Sequence, residues 1–217
     1  MIGLLYNLAE AKKIVNKNSM MKWMYIYSAV KLAAVVIAAF TSNYYAAVYI
    51  LYLMWLMVMA YVDYYTGYVY VKMEYAVMVP ELLCILCLMC SQNSKEYIEA
   101  TAVSVCMVSV LLKVSSKAGW FGEGDCDVLI CSSVFLSTGT ALYSEGAAEA
   151  VHIIMDSMVV NMLYISISGF LFLLRYIKSV KLKTFSLKAR KPFIPSIYMT
   201  GVVFLLYFIC LDSSVHI

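Results

Sequence analysis

Histidine is nearly absent from this chain. His152 and His216 are the only two, which argues against a His-based metal centre and against a Ser/His hydrolase. Proline is scarce as well, with three in 217 residues, and glycine supplies only nine. So little of either leaves no composition for a long disordered linker. Charge is the largest deficit. Charged side chains make up 13% of the sequence, where a soluble domain carries about a quarter. Seven cysteines are present, but they form no framework of the small secreted type. Cys84, Cys87, Cys90, Cys106, Cys131 and Cys210 lie in apolar runs, where they read as small buried hydrophobes. An apolar helix facing lipid is a poor place for thiolate ligands. No metal and no cofactor is expected.

What fills the chain instead is apolar. Hydrophobic residues make up 64% of it, and the mean hydropathy is +0.85. These values specify an all-α integral membrane protein, because in lipid only helices or closed barrels satisfy the backbone and unbroken apolar runs argue for helices. Seven runs approach the roughly 20 residues that a helix needs to cross the hydrocarbon core. They are Trp23–Phe40, Tyr44–Val62, Tyr70–Cys90, Tyr97–Val114, Val128–Tyr143, Val151–Arg175 and Phe193–Leu211. The expected architecture is therefore a bundle of about seven transmembrane helices over residues 23–217. Residues 1–22 precede it as a short amphipathic, basic segment, which reads either as a membrane-surface helix or as a solvated tail. Lys31 within the first run, and the lack of a small-residue cleavage site, argue against a signal peptide.

The loops alternate in charge. Lys12, Lys13, Lys17 and Lys22 precede the first run, Lys72 follows the second, and Lys113 and Lys117 follow the fourth. Arg175, Lys178, Lys181, Lys183, Lys188, Arg190 and Lys191 follow the sixth, while the opposite side has only Lys95. Basic loops stay in the cytoplasm. The N-terminus is therefore expected there, and Asp212–Ile217 outside. The long basic loop reads as a topogenic, lipid-facing segment, and no nucleic-acid partner is expected.

One stretch stands out from this oily background, Gly119-Trp120-Phe121-Gly122-Glu123-Gly124-Asp125-Cys126-Asp127. Glycine permits backbone conformations and approaches closed to other residues, so Gly122 and Gly124 are expected to fix the approach of Asp125. The loop alternation gives Asp125 a partner. Asp63 follows the second run and Asp125 precedes the fifth, so both acids are expected at the cytoplasmic face. Two carboxylates sharing a site do not ionise equally, so one charges while the other keeps a proton. The charged member can activate water, and the protonated one can polarise a carbonyl and protonate a leaving amine. A helix N-terminus favours an anion, which makes Asp125 the expected anionic member. Taken singly, a boundary Asp is usually a cap or a solvated loop residue. Asp127 reads as a first-turn dipole partner. Lys31, Glu81, Asp156 and Asn161 lie deeper, where costly polar groups are functional candidates, and Lys31 and Glu81 read alternatively as a pair that fixes helix packing. The 19 tyrosines suit interfacial belts and interhelical hydrogen bonds.

Three segments together resemble the type IV prepilin peptidase family. Asp63-Tyr-Tyr-Thr-Gly-Tyr-Val69 is similar to its first signature, an Asp at a helix end with Ile or Val six positions on. Gly122-Glu123-Gly124-Asp125 matches the Gly-x-Gly-Asp of membrane aspartyl proteases. Lys191-Pro192-Phe193-Ile194-Pro195, with Gly201 beyond it, is similar to the family's Pro-Phe-x-Pro. The resemblance spans about residues 44–211. It implies an aspartic-type endopeptidase, a hydrolase of the cell membrane that acts in pilus assembly or protein secretion. Such an enzyme cuts the short basic leader from prepilins or pseudopilins, with Asp63 and Asp125 as the catalytic pair. Gly122, Gly124, Pro192, Phe193 and Pro195 carry over as supporting residues.

The chain departs from the family at Val69-Tyr70-Val71, where Ile-Pro-Asn is common, and at Asp127, where Lys is common. It has no cytoplasmic region with two Cys-x-x-Cys pairs, so proteolysis without methylation is expected. Two alternatives remain. One is a presenilin or signal-peptide-peptidase type of protease, which carries Pro-Ala-Leu before its last helix and its first Asp within a helix. The other is a non-enzymatic transporter or assembly subunit.

Overall fold

The computed structural model describes residues 44–67, 79, 83, 95–143, 150–181 and 192–215. The N-terminal segment 1–22, the run Trp23–Phe40, most of the run Tyr70–Cys90, the Lys31–Glu81 pair and the basic stretch 182–191 lie outside the described residues. Those described are all-helical, with no strand among them. The five helices are α1 (Tyr44–Thr66), α2 (Lys95–Lys117), α3 (Glu123–Tyr143), α4 (Ala150–Lys181) and α5 (Ile194–Val215).

Among them α2, α3 and the Ala150–Arg175 part of α4 are long and apolar enough to cross a membrane, and Ile194–Phe208 is a shorter apolar helix. Their outward faces fit lipid. α2 exposes Val103, Met107, Val110, Leu111 and Val114, and α4 exposes Met155, Val159, Leu163 and Phe170. A soluble protein rarely displays contiguous apolar surface of this kind, whereas in hydrocarbon it costs nothing. The chain is a membrane protein.

α1 is the hub. Every residue from Tyr52 to Ala60 is buried, as expected of a helix that is apolar on all sides. Its neighbours are fixed by side chains that reach into other helices. The Tyr45 hydroxyl donates to the Phe135 carbonyl at 2.7 Å, Tyr52 bonds Ser132, and the Tyr52 and Phe135 rings stack at 4.1 Å. The Tyr49 hydroxyl donates to the Gly201 carbonyl at 3.3 Å. On α4, the Tyr164 hydroxyl donates to the Ile197 carbonyl at 2.9 Å. Asn161 donates to Ser137 Oγ at 3.0 Å and to the Ser157 carbonyl at 2.8 Å. Polar side chains crossing between helices in this way hold bundles together where apolar burial gives no preference.

The contacts also set direction. Along α1, Tyr45 meets Phe208, Leu53 and Leu56 lie over Gly201, and Asp63 meets Ile194. α1 and α5 are therefore antiparallel. Tyr45 over Gly139 and Tyr52 against Ser132 make α1 and α3 antiparallel as well. Phe172 against Phe193, and Tyr164 against Phe204, do the same for α4 and α5. The short turn 118–122 and the Lys113–Asp127 ion pair make α2 and α3 an antiparallel hairpin. So α1, α2 and α4 run one way, and α3 and α5 the other.

Helix ends differ from the apolar runs, because hydropathy marks where apolar residues stop and not where the backbone stops. α1 continues past Val62 to Thr66. It ends where Gly67 takes a left-handed φ of 68° and its amide bonds the Asp63 carbonyl at 2.8 Å. α3 begins at Glu123, five residues before its apolar run. α5 continues to Val215, so Asp212, expected beyond the span, lies in the helix.

Candidate functional site

The turn between α2 and α3 is built by its glycines in two different ways. Gly119 has φ +82°. Its amide bonds the Ser116 carbonyl at 2.9 Å, and the Trp120 amide bonds the Ser115 carbonyl at 3.0 Å. This pairing is a Schellman end, with Gly119 at the left-handed position. Gly122 then starts α3, accepting from the Cys126 amide at 3.0 Å, and glycine is acceptable at that capping position. The left-handed conformation therefore falls on Gly119, and neither Gly122 nor Gly124 has it.

Asp125 does not precede α3 but lies in its first turn, beside Glu123. It is half-buried. Asp127 falls beyond that turn, and its partner is Lys113 of α2 rather than the helix terminus. Cys126, between the two acids, is buried.

Asp63 likewise does not follow its helix. It lies in the last turn of α1 and is only 4% exposed. A first Asp lying within a helix no longer separates this chain from presenilin-type proteases. The expected difference from them then rests on Pro192-Phe193-Ile194-Pro195.

That motif explains itself at the start of α5. A helix begins with four amides that have no partner within it. Here the Ile194 amide donates to Asp63 Oδ2 at 3.1 Å. Pro195 has no amide to satisfy. The Ser196 and Ile197 amides bond the Phe193 carbonyl at 2.9 and 3.4 Å. Phe193 occupies the capping position without a side chain able to accept, and the missing acceptor arrives from α1. The Phe193 ring is 6% exposed. It packs on Phe121 of the α2–α3 turn at 5.9 Å, and edge-to-face on Phe172 of α4 at 5.3 Å.

Asp63 and Asp125 thus share one end of the bundle. Beyond Tyr52 and Ser132, the antiparallel register of α1 and α3 runs about two and a half turns, ~14 Å, and brings residue 61 level with Glu123, where α3 begins. Asp63 and Asp125 lie within two residues of that level along their own helices. Both acids sit at helix N-termini, Asp125 in the first turn of α3 and Asp63 at the start of α5. The dipole argument that singled out Asp125 thus extends to Asp63 through α5, while the C-terminal end of Asp63's own helix α1 opposes it. Lys113, Lys117 and Arg175 lie at the same end, whereas Lys95 lies at the other, beside Glu99 at 3.6 Å. Trp120, 75% exposed, and the exposed Tyr64 and Tyr65 ring this end with the residues that favour a membrane–water boundary. Sequence reasoning missed Phe121 and Phe172. Phenylalanine in an apolar chain carries no signal until its neighbours are known.

Comparison with protein-family models, with curated proteins and with solved structures returned no match.

Proposed function

We propose that this chain is a membrane-embedded aspartyl endopeptidase that removes the short basic leader from type IV prepilins or pseudopilins, with Asp63 and Asp125 as its catalytic pair. The observation that carries the reading is the convergence of the α1 C-terminus with the starts of α3 and α5, which gives each of two sequence-distant carboxylates a helix N-terminus. In the reaction, the charged carboxylate takes a proton from water as the water oxygen bonds to the scissile carbonyl carbon. The protonated carboxylate donates its proton to the carbonyl oxygen. The C–N bond then breaks as the amine takes the proton that the first carboxylate gained from water. A hydroxyl of the diol returns a proton to the second carboxylate, which leaves a carboxylic acid and the pair as it began.

The proposed topology has seven spans in the cell membrane, with the N-terminus and the carboxylate end facing the cytoplasm. Helix direction is compatible with it, because α1 and α2 run the same way. The gathering of Lys113, Lys117 and Arg175 at the carboxylate end supports the orientation. The exposed Trp120, Tyr64 and Tyr65 support a site level with the membrane boundary, where the bond between a basic leader and an apolar helix would lie. The partners are then the bilayer and the substrate helix.

One observation favours a purely structural reading of Asp63, namely that it caps α5. Substitution separates the two. In Asp63→Asn the side-chain carbonyl still accepts from the Ile194 amide, but the group can no longer exchange a proton. Co-expression with a candidate prepilin, followed by a gel shift for leader loss, is the test. Leader removal by the wild-type chain, abolished in Asp63→Asn and Asp125→Asn, is expected. Processing by Asp125→Asn overturns the aspartyl mechanism, and processing by Asp63→Asn overturns the pairing.

A further inference from the structure

We infer that Phe121 and Phe172 are positioning residues for the two carboxylates, acting through Phe193. This inference rests on the peptidase reading for its catalytic consequence, though not for its geometry. Three elements carry the site: the last turn of α1, the turn into α3 and the start of α5. Backbone connects none of these directly to another, because long stretches of chain separate them. One buried ring lies where they meet. Phe193 touches Phe121, four residues before Asp125, and Phe172, on the inner side of α4. The next residue, Ile194, gives its amide to Asp63. The chain of contact is Asp125 turn, Phe121, Phe193, Ile194 amide, Asp63.

The geometry suits a fixed joint. The Phe172 and Phe193 planes cross at 83° and the Phe121 and Phe193 planes at 32°, so the ring is held on an edge and on a tilted face. Phe193 is also the residue whose carbonyl starts α5. A shift of its ring therefore moves the origin of the helix and the amide that holds Asp63. Reactions that depend on placement lose about 100-fold for a displacement near 1 Å.

The test uses the full chain in detergent, with hydrogen exchange at the Ile194 amide and prepilin cleavage read on the same samples. In Phe121→Ala and Phe172→Ala, the Ile194 amide is expected to exchange at least about tenfold faster, with amides near Phe204 and Phe208 unchanged, as for a local opening. Asp63→Ala serves as the reference for an Ile194 amide without its acceptor. The turnover number is expected to fall about tenfold or more with KM nearly unchanged, as for lost alignment rather than lost binding. Phe172→Tyr and Phe121→Tyr, which keep the ring, are expected to restore both.

Unchanged exchange at Ile194 overturns the inference. So does equal loosening along all of α5, which marks a general loss of packing. If Ile194 responds as expected but the wild-type chain cleaves no prepilin, the positioning role stands and the peptidase reading falls.

Discussion

The Asp63 carboxylate accepts the Ile194 amide at 3.1 Å, across 131 positions of sequence. A side chain on α1 thereby supplies the cap that α5 lacks. The bond forces the last turn of α1 and the first turn of α5 to one level, and it brings a positive helix end to a buried carboxylate.

Replacing Asp63 separates charge from capping. Asp63→Ala leaves the Ile194 amide without an acceptor and is expected to cost about 1–3 kcal/mol. Asp63→Asn is expected to stay within a few tenths of a kcal/mol of the wild type, since Asn caps as well as Asp. Thermal unfolding in detergent reads the difference. Equal loss in both variants would mean that the cap needs the charge.

Gly119→Ala isolates a backbone effect. No atom lies within 4 Å of the added Cβ, so only the left-handed φ opposes it. The expected loss is about 1–2 kcal/mol. Gly119→Asn is expected to lose less, because Asn visits that region readily. The comparison of melting midpoints decides it, and a neutral Gly119→Ala would show that the turn relaxes.

Gly139 and Gly201 offer a contrast in packing. A Cβ on Gly139 would press into the Tyr45 ring, with Cζ at 2.7 Å, and the Phe208 ring, at 2.9 Å. Both rings are buried, and overpacking of that kind costs about 1–3 kcal/mol. A Cβ on Gly201 would meet chiefly the tip of Leu53, at 2.6 Å, which a rotamer change moves aside. Gly139→Ala is expected to melt well below Gly201→Ala.

The Lys113–Asp127 pair is expected to matter little for stability. Its side chains remain 53% and 34% exposed, and pairs of this exposure contribute about 0–1 kcal/mol. Asp127→Asn is expected to fold and to retain leader cleavage, while Asp125→Asn loses it. A cleavage defect in Asp127→Asn equal to that of Asp125→Asn would place Asp127 in the reacting group.

The sequence alone determined that this is a helical membrane chain, because apolar runs this long and unbroken satisfy their backbone in lipid as helices rather than as the alternating strands of a barrel. The flanking glycines singled out Asp125, charge alternation gave it Asp63 as a partner, and the resemblance to prepilin peptidases drew notice to Pro192–Pro195. The sequence did not determine where the helices end. Gly67 and Gly122 decide that through backbone bonds that hydropathy does not register. It could not reveal that Asp63 caps α5, that Asp127 turns to Lys113, or that Phe193 sits between Phe121 and Phe172. Those relations join residues on different helices, and only the packing of the bundle brings them within reach. Charge alternation along the chain points to one end of the membrane for both acids. The tertiary fold gives each of them a helix N-terminus there.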